Sequence, residues 1–300
     1  MTCPDAVGAP ELREQRVCPF CREPTPRASY IHKNSYHVLK CLECGLVYTD
    51  YEPTQGELES LFGEGDFQGD NAIGYLDVAL CARQDRINFQ RRLRKLAPYV
   101  NKGRLLDLGC GPGTIYEMAG REWEVWGVDI SCYAMDQAKE RGHRNLYCGD
   151  VLNMDLPEDS FDLILSWGFL ELLSDPGSLL DKANRLLRKG GVLNIVTGDV
   201  GSSFARMCGK YWHIYNLPEI LEFFSVATIS KFLERSGFVV ERAVHETNFY
   251  SLDYLIERLT RSLGMPIWRK KRPSGLIGFL NRIVVPVNFL DGLYIVARKK

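Results

Sequence analysis

The sequence predicts an α/β fold, in which a largely parallel sheet alternates with helices and follows a small cysteine-containing unit. Two observations carry this prediction. From residue 101 onward, short apolar runs bounded by glycine and aspartate alternate with segments of helical periodicity. Before that, two C-x2-C pairs stand near the N-terminus. The chain has 300 residues, which is enough to bury one full core beside a small accessory unit.

Composition narrows the class of protein. The formal net charge is −1 and the sequence pI is about 6.5, so no overall basic field favours nucleic acid. The first residues lack the apolar core of a signal peptide, and no apolar run reaches the length of a membrane span. Ten cysteines without a secretory signal predict reduced thiols or metal ligands rather than a disulfide framework. We therefore expect a cytoplasmic protein.

The strand Leu105–Leu108 is predicted to be buried and to break into a glycine turn. Without side chains at its glycines, the turn lets a ligand approach the backbone and accept hydrogen bonds from N–H groups. A second strand ends at Asp129, twenty-two residues after Asp107, where a carboxylate can accept both ribose hydroxyls of a nucleotide. We expect Thr114, directly after the turn, to be the N-cap of a helix. The turn alone leaves the cofactor open, although a P-loop is excluded because no Gly-Lys-Ser/Thr follows.

The segment from Asp107 to Gly113 resembles the D-x-G-C-G-x-G signature of the class I S-adenosylmethionine (SAM)-dependent methyltransferases. This resemblance implies SAM as the cofactor and a Rossmann-like sheet of seven strands. It also implies that Asp107 organises the loop near the methionine amino group, that Asp129 binds the ribose and that Asp150 reaches the adenine amino group. The other residues predicted to bind the cofactor are Gly109, Gly111, Gly113, Ile130, Val151 and Ser166.

A methyltransferase domain is accordingly predicted over residues 101–300. Its seven strands are expected at 105–108, 124–129, 146–148, 161–166, 192–196, 238–245 and 293–298. The resemblance implies that the last strand is antiparallel. Residues 246–290 then form an insertion between the last two strands.

Four cysteines form a second pattern, in which nineteen residues separate two C-x2-C pairs: Cys18, Cys21, Cys41 and Cys44. Two such knuckles bring four thiolates to one tetrahedral zinc ion, and a full shell leaves no open position for catalysis. We therefore predict a structural zinc in a ribbon over residues 16–52, with a short strand on each side of 33–35. The other six cysteines have no pairing pattern, and most are expected to be buried small apolar residues: Cys3, Cys81, Cys110, Cys132, Cys148 and Cys208.

Residues 53–100 are predicted to connect the ribbon to the sheet. Helical periodicity runs from Tyr75 to Leu96 and stops before Pro98. In related proteins this segment caps the cofactor cleft, so the resemblance implies a lid that includes Tyr75.

Ribbon, connector and core together look like the bacterial zinc-ribbon methyltransferases, a group that includes deoxysugar C-methyltransferases. That resemblance implies a small-molecule acceptor. Two histidines that are usual in the group are replaced here by Leu172 and Ile220. As general base we favour His213, which follows the fifth strand in a segment that lines acceptor pockets in this fold, although packing explains it equally well. The other candidates are His245, Tyr211, Tyr215, Glu171 and Glu219.

Two rival functions stay open. One is an RNA methyltransferase that binds RNA through the ribbon, against which stand the acidic balance and the absence of Asn-Pro-Pro-Tyr after the fourth strand. The other is a relative that binds the cofactor without catalysis. Residues 268–289 join a basic cluster to an apolar stretch, which could touch a membrane surface. We prefer a solvated turn beside a packed helix for this segment.

Overall fold

The computed structural model describes residues 16–33, 35–62, 78–262 and 274–300. Three features singled out in the sequence lie outside them: Cys3, Tyr75 and the basic cluster at 268–272. The described residues form three sheets, of four, seven and two strands.

The N-terminal sheet is built from β1 (Arg27–Lys33), β2 (Tyr36–Cys41) and β3 (Val47–Thr49), all antiparallel. The hairpin of β1 and β2 confirms the two strands predicted around residues 33–35. Its fourth strand, β9 (Glu222–Phe223), comes from much later in the chain and pairs with β3. The cysteine-containing unit is thus joined to the rest of the protein by main-chain hydrogen bonds.

Two helices follow this sheet, α1 (Gln55–Leu61) and α2 (Val78–Leu96). Thr54 and Glu57 form a capping box that satisfies N–H groups at the start of α1. α2 ends where Pro98 is expected to stop it. The limits 16–52, 53–100 and 101–300 stay predictions.

The central sheet contains the seven strands that the sequence predicts. They are β4 (Gly103–Leu108), β5 (Trp123–Asp129), β6 (Leu146–Cys148), β7 (Phe161–Trp167), β8 (Leu187–Gly198), β10 (Phe238–His245) and β13 (Gly292–Lys299). Their order is β10-β13-β8-β7-β4-β5-β6. β13 is antiparallel to both of its neighbours, as predicted, and the other pairs are parallel.

The core follows from the position of the middle strands. The sequences of β4 and β7 are mostly apolar, as expected for strands in a sheet with helices on both faces. Leu105, Leu163 and Ile164 have no exposed surface. The covering helices include α3 (Cys132–Glu140), α4 (Pro176–Leu186) and α6 (Val226–Arg235), capped by Ser131, Asp175 and Ser225.

Two local predictions are wrong. Thr114 does not cap a helix: a four-residue 3-10 helix begins at Thr114, and Gly113 precedes it in the left-handed region at φ 81°. The sequence also predicts a turn at Gly190-Gly191 before the fifth strand, but both glycines are part of β8, which begins at Leu187 and bulges before Val192.

The expectation that the cysteines outside the cluster are unpaired is also corrected. Cys132 and Cys148 form a disulfide, with Cα atoms 5.2 Å apart. The reason is the register of β5 and β6, which sets Cys148 beside Asp129, three residues before Cys132. Spacing along the chain carries no sign of this pairing, because the contact is made across two neighbouring strands.

The segment between β10 and β13 has its own structure. It contains β11 (Asn248–Ser251), α7 (Leu252–Ser262), α8 (Ser274–Arg282) and β12 (Val284–Val287), and β11 pairs with β12. The backbone of β11 is held by α2 side chains, since Asn88 bonds to both polar groups of Phe249 and Gln84 accepts from Ser251 N. Among the described residues, no helix has the length and apolar character needed to cross a membrane.

Candidate functional site

A cavity of about 560 Å³ lies where the carboxyl ends of the parallel strands meet. The glycine turn after β4 and the ends of β5 and β7 line its floor. Its walls come from α2, from residues 213–221 and from β11 and α7. Open α/β sheets bind ligands at this edge, where the strand order reverses between β4 and β7.

The glycine turn is held in place by Asp129. One carboxylate oxygen of Asp129 accepts from Gly111 N at 2.8 Å, and the other accepts from Ser131 N at 2.8 Å. A carboxylate has about four lone-pair sites, so both oxygens keep capacity for further donors such as ribose hydroxyls. Gly109 lies at φ 70°, and a Cβ there would approach Phe169 Cδ2 to 2.5 Å, so no side chain fits.

Asp107 lies behind the turn and is almost fully buried. Burial and, more weakly, the neighbouring Asp129 carboxylate together raise the pKa of its carboxyl group to about 8. A cationic group in the cavity would favour ionisation of this carboxyl. The amino group that the resemblance assigns to Asp107 has that charge.

The predicted cofactor residues are brought together with two exceptions. Seven of them line the cavity: Asp107, Gly109, Gly111, Asp129, Ile130, Asp150 and Val151. Asp150 accepts from Leu152 N at 2.9 Å and from Asn153 Nδ2 at 2.8 Å, which fixes its carboxylate after β6. Gly113 and Ser166 do not belong to the lining; the Ser166 hydroxyl is buried in β7 without a hydrogen-bond partner among the described residues.

Two further acids in the lining have strongly raised pKa values. Burial raises the pKa of Glu171 and that of Asp85 to about 7. Glu171 follows β7 directly, and its Oε2 has no hydrogen-bond partner among the described residues. Asp85 lies on α2, on the opposite wall. Sequence reasoning missed Asp85, because nothing in a helical stretch distinguishes it from a solvated acid.

His213, the base favoured from the sequence, lines the same cavity. Its Nδ1 lies 3.7 Å from Asp291 Oδ2. Burial and, more weakly, the cations Arg258 and Lys33 together lower the pKa of His213 to about 3. The imidazole is therefore neutral near pH 7 and holds a proton poorly. Of the other candidates, Glu171 and Glu219 also line the cavity, whereas His245, Tyr211 and Tyr215 do not.

One end of the cavity was not foreseen. Tyr250, Tyr254 and Arg258 line it from the segment predicted as an insertion. The two tyrosine rings stack with centroids 4.9 Å apart and planes 4° apart. Tyr254 and Arg258 are four residues apart on α7, and this i, i+4 spacing was a readable sign that they share a helix face.

The four predicted zinc ligands form a compact cluster near the N-terminus. All four Sγ atoms lie within 4.8 Å of one another, with 3.5 Å between Cys18 and Cys44 and 3.8 Å between Cys21 and Cys41. Tetrahedral zinc with bonds of about 2.3 Å places its sulfurs about 3.8 Å apart, so the geometry fits. Gly45, directly after the second C-x2-C pair, lies in the left-handed region at φ 85°.

Comparison with known proteins agrees with the fold. A protein of Bacillus halodurans C-125 described as a methyltransferase covers 70% of this chain and 98% of its own, at a TM-score of 0.51 and 18% identity, which supports the fold alone. The fold is that of the class I SAM-dependent methyltransferases. Residues 82–243, more than half of the chain, match the family described as "Methyltransferase domain", so the chain belongs to this family.

Two curated relatives differ in what their names state. The chain is 34% identical over 131 residues to a ubiquinone biosynthesis O-methyltransferase of a Bradyrhizobium species, covering 42% of this chain and 49% of the relative. It is 25% identical over 198 residues to a phosphatidylethanolamine N-methyltransferase of Cereibacter sphaeroides, covering 62% of this chain and 84% of the relative. The chain thus spans about half the length of the first of these relatives.

Proposed function

We propose that this protein transfers a methyl group from SAM to a small-molecule acceptor. The observation that carries the proposal is a single cavity that joins seven of the predicted cofactor residues to a second end walled by α7. Its volume falls in the range of small-molecule sites, about 300–1,000 Å³. The family to which the chain belongs supports the reaction class.

The residues that line the cofactor end of the cavity fit SAM. Asp129 and Asp150 would hold the ribose and the adenine, and the glycine turn leaves room for the ligand beside its N–H groups. SAM supplies a sulfonium methyl with its own leaving group. The main task of the protein is therefore to align the acceptor with that methyl, which is worth roughly 7–11 kcal/mol when positioning is complete.

An acceptor that must lose a proton also needs a base, and we favour Glu171 over His213 for this role. A base works best when its pKa lies near the working pH. The pKa of Glu171 is about 7, while the pKa of His213 is about 3. His213 then serves as a neutral hydrogen-bonding group in the acceptor wall.

We also propose a structural zinc at Cys18, Cys21, Cys41 and Cys44. The spacing of the four sulfurs supports it. The ion would hold together the knuckles from which the N-terminal sheet extends, and it would take no part in methyl transfer.

The test is to incubate zinc-quantified protein with SAM labelled in the methyl group and a panel of phenols, carboxylic acids, amines and nucleotide-linked sugars. We expect label in one acceptor class together with formation of S-adenosylhomocysteine (SAH). Label in RNA alone would replace the small-molecule proposal by the RNA methyltransferase. SAH binding without turnover on any acceptor would indicate a relative that does not catalyse.

A further inference from the structure

The unexpected end of the cavity contains a half-buried cation that has no ion pair among the described residues. Two arginines among the described residues line the cavity, Arg92 and Arg258. Arg92 is neutralised, because its Nε donates to Glu246 Oε1 at 2.6 Å and its Nη2 donates to Asn248 Oδ1 at 2.9 Å. Arg258 forms no ion pair with any described carboxylate.

The hydrogen bonding of Arg258 leaves most of its donors available. Its Nε donates to Tyr254 Oη at 2.9 Å, and its guanidinium carbon lies 5.3 Å from the centre of the same ring. Guanidinium has five N–H donors, so the two Nη groups keep theirs. The Tyr254 hydroxyl accepts from Arg258 and can still donate its own proton. Arg258 and Tyr254 therefore present converging donors from one face of α7.

Two acids near this end accept hydrogen bonds from neutral side chains. Asp291 accepts from Trp212 Nε1 at 2.8 Å. Glu219 accepts from Asn216 Nδ2 at 2.5 Å and has a further partner. A second cation, Lys33 on β1, lies close enough that Arg258 and burial together lower the pKa of its amine. Both carboxylates keep their negative charge beside the two cations. Among the described residues, however, neither carboxylate accepts from the Nη groups of Arg258, which leaves those donors to a ligand.

We propose, on the basis of the methyl transfer proposed above, that the acceptor carries an oxyanion, a carboxylate or a phosphate monoester, and that Arg258 and Tyr254 bind it. The planar fork of a guanidinium matches two oxygens of either group. The stacked rings of Tyr250 and Tyr254 supply an apolar surface beside that fork. The zinc-ribbon unit contributes Lys33 to the same field. Arg258 is thus the specificity-determining residue for the acceptor.

The test uses three probes with one phenyl ring and different head groups: benzoate, phenyl phosphate and neutral benzamide. Each is titrated by ligand-observed NMR into protein saturated with SAH, and SAH binding is measured by calorimetry on the same sample. We expect one or both anions to bind at least about tenfold more tightly than benzamide. The stronger anion distinguishes a carboxylate from a phosphate acceptor.

Variants assign the preference to the side chain. Arg258→Gln should remove the preference for the anion and leave SAH affinity unchanged, while Arg258→Lys should keep part of it. Arg206→Gln, an exposed arginine on α5 (Ser203–Cys208), is the matched control and should behave as wild type. If Arg258→Gln does not fold, the comparison of the three probes on wild type still decides.

The outcomes separate this inference from the proposed function. Equal binding of benzamide and the anions to SAH-loaded wild type, or a preference that survives in Arg258→Gln, overturns the inference alone. A folded protein that does not bind SAH overturns the proposed function as well.

Discussion

At the scale of single residues, one substitution at Asp129 tests its two roles in the cofactor site. It accepts from two backbone N–H groups of the cofactor end, and we propose that it also accepts the ribose hydroxyls. Asp129→Asn keeps the size and one acceptor but loses the charge. We expect SAH affinity to fall by about 10- to 100-fold, since a hydrogen bond to a charged group is worth about 1.5–3 kcal/mol.

Calorimetric titration of SAH measures this, with Asp136→Asn as the control. Asp136 is an exposed acid on the neighbouring helix α3, and its contact is with Lys139. Unchanged affinity in Asp129→Asn would show that the ribose is bound elsewhere.

Glu171 gives a prediction in pH. Because its folded pKa of about 7 lies above the ordinary value of 4.5, the folded protein binds a proton that the unfolded chain releases. Its contribution to stability is therefore fully present below pH 4.5 and is lost as the pH rises through about 7. As a base it works in the opposite sense, so methyl transfer should increase as the pH rises through 7.

Glu171→Gln should weaken the pH dependence of stability, because Asp85 and Asp107 still contribute to it. It should also remove the rise of kcat with pH and lower kcat by about 10²–10⁴-fold. The measurements are a pH profile of kcat and thermal midpoints over the same pH range. Asp85→Asn is the informative comparison, because the pKa of Asp85 is also raised to about 7. If Asp85→Asn removes the rise of kcat with pH and Glu171→Gln keeps that rise, the base lies on α2.

At the scale of elements, the N-terminal unit and the acceptor wall share one core. Tyr36, Val38 and Val47 of the N-terminal sheet pack with Trp212 and Leu221 in a single buried cluster. β9 adds main-chain bonds to β3, and Arg16 forms a buried ion pair with Glu222 of β9. The cofactor residues lie on the other side of the cavity, on β4, β5 and β6. The cysteines Cys18, Cys41 and Cys44 pack in the same buried cluster as Leu106 and Leu108 of β4, and β2 joins them to the cluster of the acceptor wall.

Removal of the proposed zinc should disturb the acceptor wall through β2, while the seven-stranded sheet and the hydrogen bonds of Asp129 hold the cofactor end. We expect Cys21→Ser to lower the thermal midpoint by roughly 5–10 °C. The fluorescence of the fully buried Trp212 should shift to the red, while SAH affinity stays within about threefold, a small change in binding free energy.

Cys208→Ser is the control, since Cys208 is a half-buried thiol that is not one of the four clustered cysteines. Trp212→Phe identifies which tryptophan reports the change. A loss of SAH affinity of more than about threefold would contradict the separation of the two ends. No effect of Cys21→Ser on the thermal midpoint would argue against a structural metal.

At the scale of the whole molecule, the sequence predicted what local patterns encode. Apolar runs located all seven strands of the central sheet, and they are clearest in the middle strands, which are buried on both faces. Asp107, Asp129 and Asp150 follow from their places at strand ends, and they line one cavity.

Features that depend on contacts between distant segments escaped prediction. The Cys132–Cys148 disulfide depends on the register of β5 against β6. The place of Arg258 depends on how the segment after β10 folds onto α2, and its sequence gives only the spacing to Tyr254. The pairing of β3 with the two-residue strand β9 has no local pattern at all.

The charge of the whole chain yields the last prediction. With a net charge of −1, the chain has no overall excess of the positive charge by which proteins neutralise phosphates. We expect zinc-loaded protein to bind a labelled RNA hairpin no more tightly than non-specific binders do, with Kd weaker than about 1 μM at 150 mM salt. Fluorescence anisotropy at 50 and 150 mM salt measures this, with a labelled DNA hairpin of the same sequence as the control. Submicromolar binding that prefers RNA and weakens steeply with salt would support an RNA methyltransferase that binds RNA through the ribbon. Such a salt dependence arises because phosphate contacts release counterions.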